Sequence, residues 1–332
     1  MKILHITPHL GGGVGTVIID WMVKIRGKDN AVLCLDTMND KAKDALGKLK
    51  MAHGWNQRYM YEAINRFITE SDVVLVHYWD HPMLEKWLAG DLPECRLAFW
   101  CHKNFSIPDR DLMYPDRFIG TSWIQDVSEH IWSTGNMERF LKIKPKPHEG
   151  FNIGYAGTVD YKKLHPEFLD ICKKIKRKIP EAHFAIVGED KISGLGSGIS
   201  AIDPDFTFTG KIDDVAPFLA EMDVFAYPLR PDHYGTCEIA LGEAMAAGVV
   251  PIVMDNPAER VICGPVGAKS ETEFIRMVEM LYQVPEFRQC LSPMVRDNAR
   301  RIYSIGHMIA TWEQVFQEMM QKPKTKHGRI GK

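Results

Sequence analysis

The chain alternates short, nearly continuous apolar runs with longer amphipathic segments. In the first half the apolar runs are KILHITP, NAVLCLD, DVVLVHY, RLAFWCH and RFIGTS, and helical patterns such as VGTVIIDWMVKI and HPMLEKWLAG lie between them. Apolar runs of this length that alternate with helices are typical of parallel strands covered on both faces. The first half is therefore predicted to be one doubly wound α/β domain.

The same alternation starts again after a polar segment, KIKPKPHEG at residues 142–150, which has the prolines and lysines of a linker. Its strand-like runs are FNIGYAG, HFAIVG, FTFTG, DVFAYP and VVPIVMD. We predict a second α/β domain, so that the domains span residues 1–145 and 146–320. The basic tail, residues 321–332, has no acidic residue and is predicted to be flexible.

A last helical pattern, HMIATWEQVFQEMM, precedes this tail. Its apolar residues recur at helical spacing, so they share one face that should pack back against a domain; these residues are Ile309, Trp312, Val315, Phe316 and Met319.

Composition narrows the class of protein. A length of 332 residues favours two domains, and a formal net charge of -2 argues against nucleic acid as a partner. The seven cysteines are scattered without a CxxC pair, so neither a disulfide framework nor a zinc site is predicted. The start, MKILHITPHL, has no signal-peptide core, and no apolar run approaches the length of a membrane span. We expect a soluble cytoplasmic protein.

A glycine-rich loop, HLGGGVGT, joins the first predicted strand to the first predicted helix. Gly11, Gly12 and Gly13 let the backbone approach a ligand, and the helix N-terminus that follows attracts anions. A dinucleotide-binding fold is the obvious competitor. Its fingerprint fails here, because the third glycine position holds Thr16.

Two further segments follow predicted strands at their carboxyl ends, where open α/β sheets bind ligands. FWCHKN puts His102 at such an end, although residue type alone leaves a structural role open. In GYAGTVDYKKLHP, Lys162 or Lys163 could neutralise phosphate charge, or both could be solvated. His77 and His81 in HYWDH lack an evident third metal ligand, and we expect no bound metal.

The segment HYGTCEIALGEAMAAG carries two glutamates, Glu238 and Glu243, at the start of an otherwise small and apolar helix predicted to begin near Cys237. Buried carboxylates need partners or a hydroxyl-rich ligand. The N–H groups of Gly235 and Thr236, with the helix dipole, suit an anion, so a sugar nucleotide fits both features. The alternative is that Glu238 caps the helix and Glu243 pairs with a basic residue such as Arg260.

Taken together, these motifs resemble the retaining glycosyltransferases of the GT-B fold, especially the family-four (glycosyl transferases group 1) enzymes, over nearly the whole chain. The strongest likeness is GTCEIALGEAMAAGVVPIV. The resemblance implies two Rossmann-like domains facing a cleft, with the acceptor on the N-terminal side and the donor on the C-terminal side. It also implies that Glu243 binds the donor ribose and that His102 lies on the acceptor side.

The chain departs from the family pattern at two positions. Gly235 stands where the family has a glutamate that contacts the transferred sugar, and Glu238 could take its place. Thr158 stands where the family has an arginine on the diphosphate, while Lys163 matches the family lysine, and Lys162 or Arg230 could compensate. The resemblance gives catalytic roles to Lys163, Glu238 and His102. The donor-binding residues that it implies are Gly12, Gly13, Gly157, Thr158, Lys163, Gly188, Gly235, Thr236, Cys237, Glu238 and Glu243.

The resemblance implies transfer with retention, without a metal or cofactor, from a UDP- or GDP-linked sugar to a saccharide or lipid-linked acceptor. Peripheral contact with the inner face of the membrane stays open. Three alternatives also stay open: a catalytically silent relative that binds nucleotide or glycan, a nicotinamide-dependent dehydrogenase, and a sugar-nucleotide epimerase.

Overall fold

The computed structural model describes residues 1–25, 29–48, 52–55, 60–103, 114–192 and 204–328. The described strands, in chain order, are β1 (Ile3–Leu10), β2 (Asn30–Met38), β3 (Ala52–Trp55), β4 (Val73–Tyr78), β5 (Leu97–Cys101), β6 (Arg117–Gly120), β7 (Glu129–His130), β8 (Phe151–Ala156), β9 (Ala182–Val187), β10 (Phe206–Gly210), β11 (Val224–Tyr227) and β12 (Val250–Val253). The described helices are α1 (Gly12–Ile25), α2 (Asp40–Lys48), α3 (Met60–Glu70), α4 (Pro82–Leu88), α5 (Glu138–Leu141), α6 (Phe168–Lys178), α7 (Ala216–Leu219), α8 (Ile239–Ala246), α9 (Pro257–Cys263), α10 (Glu271–Gln283), α11 (Pro285–Ile302) and α12 (Ile305–Met320). None of the helices that are described combines the length and the apolar character needed to cross a membrane.

The chain forms two compact units, each built on one parallel sheet. Unit 1 comprises Met1–Asn136 and Ile305–Lys332, and unit 2 comprises Met137–Ser304. The described strands of unit 1 follow the order β3-β2-β1-β4-β5-β6-β7, and those of unit 2 follow β10-β9-β8-β11-β12. Both orders reverse direction after the first strand of the unit, as in Rossmann-like sheets, and ligands bind such sheets at the carboxyl ends beside the reversal.

The apolar runs form strands because both faces of each sheet are covered. Every residue of β4 and β5 is buried, and β8 and β11 are buried almost throughout. This burial explains why the strands appear in the sequence as continuous apolar runs without strict alternation.

The C-terminal helix α12 packs on unit 1, as its apolar face predicted. The ring of Trp312 lies 5.4 Å from that of Trp100 on β5 and 6.1 Å from that of Trp21 on α1. All five residues predicted to share the buried face are buried. The helix thus lies with unit 1, whereas the predicted boundaries had grouped it with residues 146–320.

The boundary between the two units also differs from the predicted one, which lay between residues 145 and 146. Unit 2 begins at Met137, because the segment predicted as a linker is hydrogen-bonded to that unit. The N–H of Lys146 donates to the carbonyl of Ala220 at 2.7 Å, and the Arg296 guanidinium binds the carbonyls of Leu141 and Ile143.

The basic tail was predicted to be flexible, but its described residues are bound to unit 1. Thr325 and Cys95 exchange two backbone hydrogen bonds, and the ring of His327 contacts the carbonyls of Cys95 and Tyr114. Lys324 donates to the carbonyl of Thr69 at 2.8 Å. Backbone pairing therefore outweighs the polar composition on which the prediction of flexibility rested.

The contact of α12 with unit 1 gives a stability prediction. Trp312→Ala should lower the free energy of unfolding by about 3–5 kcal/mol, because it removes a fully buried indole. Trp123→Ala is the matched control, since Trp123 is 67% exposed, and it should cost less than about 1 kcal/mol. Urea unfolding followed by circular dichroism measures both. Equal costs would contradict the packing of α12.

Candidate functional site

The candidate site of unit 2 is formed by two loops at the carboxyl ends of neighbouring strands. One loop follows β8 and contains Lys163, and the other follows β11 and leads to Glu238. The loops pair through their backbones: the N–H of Arg230 donates to the carbonyl of Lys163 at 3.0 Å, and that of His165 to Pro228 at 2.9 Å. Because β8 and β11 are adjacent where the strand order reverses, side chains 75 residues apart meet here.

The centre of the site is a buried ion pair. The ammonium Nζ of Lys163 lies 2.8 Å from Oε2 of Glu238, and these side chains are 14% and 1% exposed. The hydroxyl of Tyr227, the last residue of β11, donates to the same carboxylate oxygen at 2.5 Å. A buried carboxylate is tolerated only when it is paired and hydrogen-bonded, and Glu238 meets both conditions.

The pairing keeps both groups charged. Burial alone would lower the pKa of Lys163, but the charge and hydrogen bond of Glu238 outweigh it and raise that pKa above 10.5. Burial alone would raise the pKa of Glu238, but the charge of Lys163 and the hydrogen bonds from Lys163 and Tyr227 bring it below 4.5. The site therefore holds an ammonium and a carboxylate across the physiological range.

A histidine and a second glutamate continue this cluster. Nδ1 of His233 lies 3.7 Å from Oε1 of Glu238, and its Nε2 lies 3.1 Å from Oε1 of Glu259, which is fully buried on α9. The N–H of Gly235 donates to Nδ1 of His233 at 3.1 Å. Since Nδ1 accepts this bond, Nε2 carries the proton and donates to Oε2 of Glu259 at 3.3 Å.

The backbone at Glu238 is unusual and explains the glycine at position 235. Glu238 has φ 38° and ψ 65°, the left-handed conformation, which is uncommon for a residue other than glycine. This conformation directs its carboxylate over Gly235: a Cβ there would lie 1.7 Å from Oε1 of Glu238. The carboxylate of Glu238 thus occupies the space that a side chain at position 235 would need.

The same backbone delays the helix. α8 begins at Ile239, two residues later than predicted, because a left-handed residue cannot continue a right-handed helix. The hydroxyl of Tyr303 donates to the carbonyl of Cys237 at 2.7 Å, and its ring packs against Gly242. Thr236 and Cys237, which precede Glu238, are both buried, so packing also fixes the turn before α8.

The predicted donor-binding glycines that follow β8 and β9 lie against each other. Gly157 and Gly188 have φ of 151° and 153°, and a Cβ at Gly188 would lie 1.6 Å from the carbonyl oxygen of Gly157. Only glycine permits this backbone contact. Beside it, the Tyr155 hydroxyl donates to the carbonyl of Thr158 at 3.0 Å.

The structure bears on one of the two interpretations of the acids. Glu238 makes no side-chain capping bond, and the guanidinium of Arg260 binds Asp255 at 3.0 and 2.8 Å. The capping role of Glu238 is therefore wrong, and Arg260, which was given as an example of a partner for Glu243, pairs with Asp255. Glu243 itself is half-buried on α8.

The two cations suggested as compensation for Thr158 differ in their surroundings. The guanidinium of Arg230 is held by Asp232, with one contact at 2.8 Å, and also donates to the carbonyl of Tyr161. Lys162 is exposed.

The remaining predicted residues lie in unit 1. Gly12 and Gly13 are exposed at the first turn of α1, after β1. His102 directly follows β5, and its Nε2 lies 3.0 Å from Nδ1 of His77. His81 accepts the N–H of Met83 at the start of α4. The part of the chain that is described contains no cluster of acids, cysteines and histidines suited to a metal ion.

Three residues of the unit 2 cluster were missed in the sequence. Tyr227 and Tyr303 carry no motif of their own, and His233 opens the segment HYGTCEIALGEAMAAG without having been given a role there. The position of Tyr227 at the carboxyl end of an apolar strand, just before the loop that leads to Glu238, was the available signal.

Comparison with known proteins supports the same family as the motifs. Residues 150–283 match the family model described as Glycosyl transferases group 1. No curated protein matches the chain at a significant level of sequence similarity.

Several solved structures share the fold over the whole chain. HepE from Anabaena in complex with UDP has a TM-score of 0.76 at 12% identity, covering 96% of this chain and 100% of HepE. A glycosyltransferase from Rickettsia africae has a TM-score of 0.72 at 12% identity, covering 97% and 99%. The lipopolysaccharide outer core galactosyltransferase WaaB has a TM-score of 0.61 at 13% identity, covering 96% and 100%. The predicted GT-B fold is confirmed.

The buried ion pair gives a second stability prediction. Lys163→Met should lower the free energy of unfolding by about 3–5 kcal/mol, because it leaves the Glu238 carboxylate buried and unpaired. The double variant Lys163→Met/Glu238→Gln should recover most of this loss, since both charges are then gone. Urea unfolding of the single and double variants at pH 7 measures the coupling. Additive losses would contradict a paired role.

The same pair predicts a pH dependence. The lowered pKa of Glu238 makes its contribution full above pH 4.5 and lost at more acidic pH, and the raised pKa of Lys163 makes its contribution full below pH 10.5. The stability difference between the wild type and the double variant should therefore stay constant between those limits. A change of that difference near neutral pH would count against the assignment.

The contact at position 235 predicts a coupled pair of substitutions. Gly235→Ala should lower the free energy of unfolding by about 2 kcal/mol, because the new Cβ displaces the Glu238 carboxylate from Lys163. In a Glu238→Ala background the same substitution should cost much less, since the obstructing carboxylate is absent. The thermal midpoints of the four proteins give the coupling. An equal cost in both backgrounds would refute the steric explanation.

Proposed function

We propose that the chain is a retaining glycosyltransferase that transfers a sugar from a nucleotide-diphosphate donor to a saccharide or lipid-linked acceptor. The observation that carries the proposal is the ammonium of Lys163, held by Glu238 at the reversal of strand order in unit 2. A buried and fixed cation at this edge suits a phosphate group. The family match of residues 150–283 and the GT-B fold support the same class.

The leaving diphosphate is assigned to Lys163. A lysine ammonium has three N–H donors, and Glu238 takes one of them, which leaves donors for phosphate oxygens. The close-packed backbone at Gly157 and Gly188 lets a ligand approach the strand ends, and the start of α8 adds a favourable dipole. We propose that these fixed groups stabilise the departing diphosphate without a bound metal.

The other predicted residues take the roles that the resemblance suggests. Glu243 binds the ribose hydroxyls, Gly12 and Gly13 face the donor phosphates, and His102 serves the acceptor. Glu238 takes the role of the missing acid at position 235, because its carboxylate fills that space. Because the Glu238 carboxylate is buried, its main contact is with Lys163, and its contact with the donor sugar is secondary.

The donor is proposed to be UDP-linked in the first instance. Solved structures of HepE, which shares the fold, contain UDP and UDP-glucose. In the proposed reaction the acceptor oxygen attacks the anomeric carbon on the face that the diphosphate leaves. The new glycosidic bond forms as the bond to the diphosphate breaks, and a diphosphate oxygen takes the acceptor proton.

A second candidate is a silent relative that binds nucleotide or glycan without turnover. The observation that favours it is charge balance at the site. Thr158 replaces a cation of the family pattern, and the charge of Lys163 is already compensated by Glu238. A diphosphate would then meet less net positive charge than in the family.

Nucleotide binding tests the donor site. UDP, GDP and ADP should be compared by thermal shift, and we expect a shift with UDP that is lost in Glu243→Ala. Lys163→Met should weaken UDP binding roughly 10- to 100-fold, as the loss of charge-assisted hydrogen bonds requires. Lys162→Met is the matched control, because it removes the exposed neighbouring lysine, and it should change the affinity less than about threefold.

Turnover separates the two candidate functions. A transferase should hydrolyse UDP-glucose slowly without an acceptor and should keep this activity in EDTA. The anomeric configuration of a transferred sugar, read by NMR, tests retention. Binding of UDP without any donor turnover would favour the silent relative, and no shift with any nucleotide would refute the donor site.

A further inference from the structure

Three histidines of unit 1 form a hydrogen-bonded line across neighbouring strands. Nδ1 of His5 on β1 lies 3.1 Å from Nε2 of His77 on β4, and Nδ1 of His77 lies 3.0 Å from Nε2 of His102 after β5. His5 and His77 are fully buried. His102 ends the line at the carboxyl edge of the sheet.

The strand register explains why the three rings share one face. His5 is paired with Leu75, so His77 lies two residues further along β4, and His77 is paired with Trp100, so His102 lies two residues beyond it. Side chains two residues apart point to the same face of a strand. The line therefore runs diagonally through the sheet towards its carboxyl edge.

Aromatic rings surround the line. The ring of His5 meets Trp21 edge-on at 4.9 Å, and Trp100 lies 5.6 Å from His77 and 4.7 Å from His102. This burial lowers the pKa of His5 and of His102 to about 3. Burial, with the neighbouring rings, also lowers the pKa of His77 well below its ordinary value. All three imidazoles are therefore neutral at physiological pH.

Neutrality leaves only two arrangements of protons. A neutral imidazole has one N–H donor and one acceptor nitrogen, so each hydrogen bond in the line fixes the next ring. Either all three rings carry the proton on Nδ1, or all three carry it on Nε2. The tautomer of His5 in the core therefore determines the tautomer of His102.

The inner end of the line favours the first arrangement. Nε2 of His5 is buried and has no hydrogen-bond partner among the residues described in the structure. With protons on Nε2, this atom would be a buried N–H without an acceptor, the rarer type of unsatisfied group in proteins. With protons on Nδ1, the same atom is a buried acceptor without a donor, which is the less rare type.

We propose that His5 and His77 are positioning residues that hold His102 as the Nδ1–H tautomer, so that it donates a hydrogen bond to an acceptor hydroxyl. This inference rests on the proposed function for the acceptor, whereas the tautomer itself does not. A ring that carries its proton on Nδ1 cannot take a proton there. His102 then orients the acceptor oxygen, and the proton released in the transfer goes to the diphosphate.

The tautomer can be read directly in the full-length protein. Histidine side chains labelled with ¹⁵N show in long-range ¹H–¹⁵N correlation spectra which ring nitrogen is protonated. His102→Gln, which removes one of thirteen histidines, assigns the signals of His102. We expect Nδ1–H for His102 without any substrate, and Nε2–H in the wild type would overturn the proposal.

Two substitutions at position 77 test the transmission. His77→Asn can still offer an amide N–H from the position of Nδ1, so His102 should stay in the Nδ1–H form. His77→Leu removes the donor, and His102 should change to a mixture with Nε2–H. An unchanged His102 spectrum in a folded His77→Leu variant would refute the role of His77.

The wild-type spectrum decides the tautomer even if the leucine variant fails to fold. Because the spectra need no nucleotide or acceptor, failure of UDP binding would refute the proposed function and leave the tautomer result standing.

Discussion

The ion pair between Lys163 and Glu238 is the constraint on which the rest of unit 2 depends. Two opposite charges that are nearly removed from water must stay together, because either charge alone would be costly. The pair joins loops that follow adjacent strands, so it fixes the edge of the sheet where the strand order reverses. The left-handed backbone of Glu238, the glycine at position 235 and the hydrogen bond from Tyr303 all serve to hold this carboxylate in place.

The pair also bears on how such a site could act on a diphosphate. In the proposed reaction, the attraction of Lys163 to the donor competes with its attraction to Glu238 before the sugar leaves. As the glycosidic bond to the diphosphate breaks, negative charge grows on the phosphate oxygen while the charge of Glu238 stays constant. In the proposed reaction the interaction of the diphosphate with Lys163 would therefore strengthen mainly in the transition state, and such differential binding accelerates a reaction.

Much of the fold could be predicted from the sequence because buried parallel strands appear as apolar runs, and the face of α12 was evident from its helical spacing. Lys163 and Glu238 were identified singly, but not as partners, because their contact depends on which strands are neighbours. The histidine line depends on a register offset of two residues per strand, which spacing along the chain does not reveal. The tail was predicted to be flexible because composition does not report the backbone bonds that Thr325 makes with Cys95.

The two units differ in the polar groups that they bury at their sheet edges. Unit 1 buries a line of neutral imidazoles that ends at His102, and unit 2 buries a lysine with two glutamates and a histidine. A neutral hydrogen-bond donor suits a sugar hydroxyl, which has no charge to compensate, whereas a fixed ammonium suits a diphosphate. In a transferase the proton released by the hydroxyl must reach a base. In the proposed reaction, in which His102 presents only a donor nitrogen, the base is the diphosphate oxygen that becomes more basic as the sugar departs, so donor cleavage and deprotonation of the acceptor would be coupled in one step.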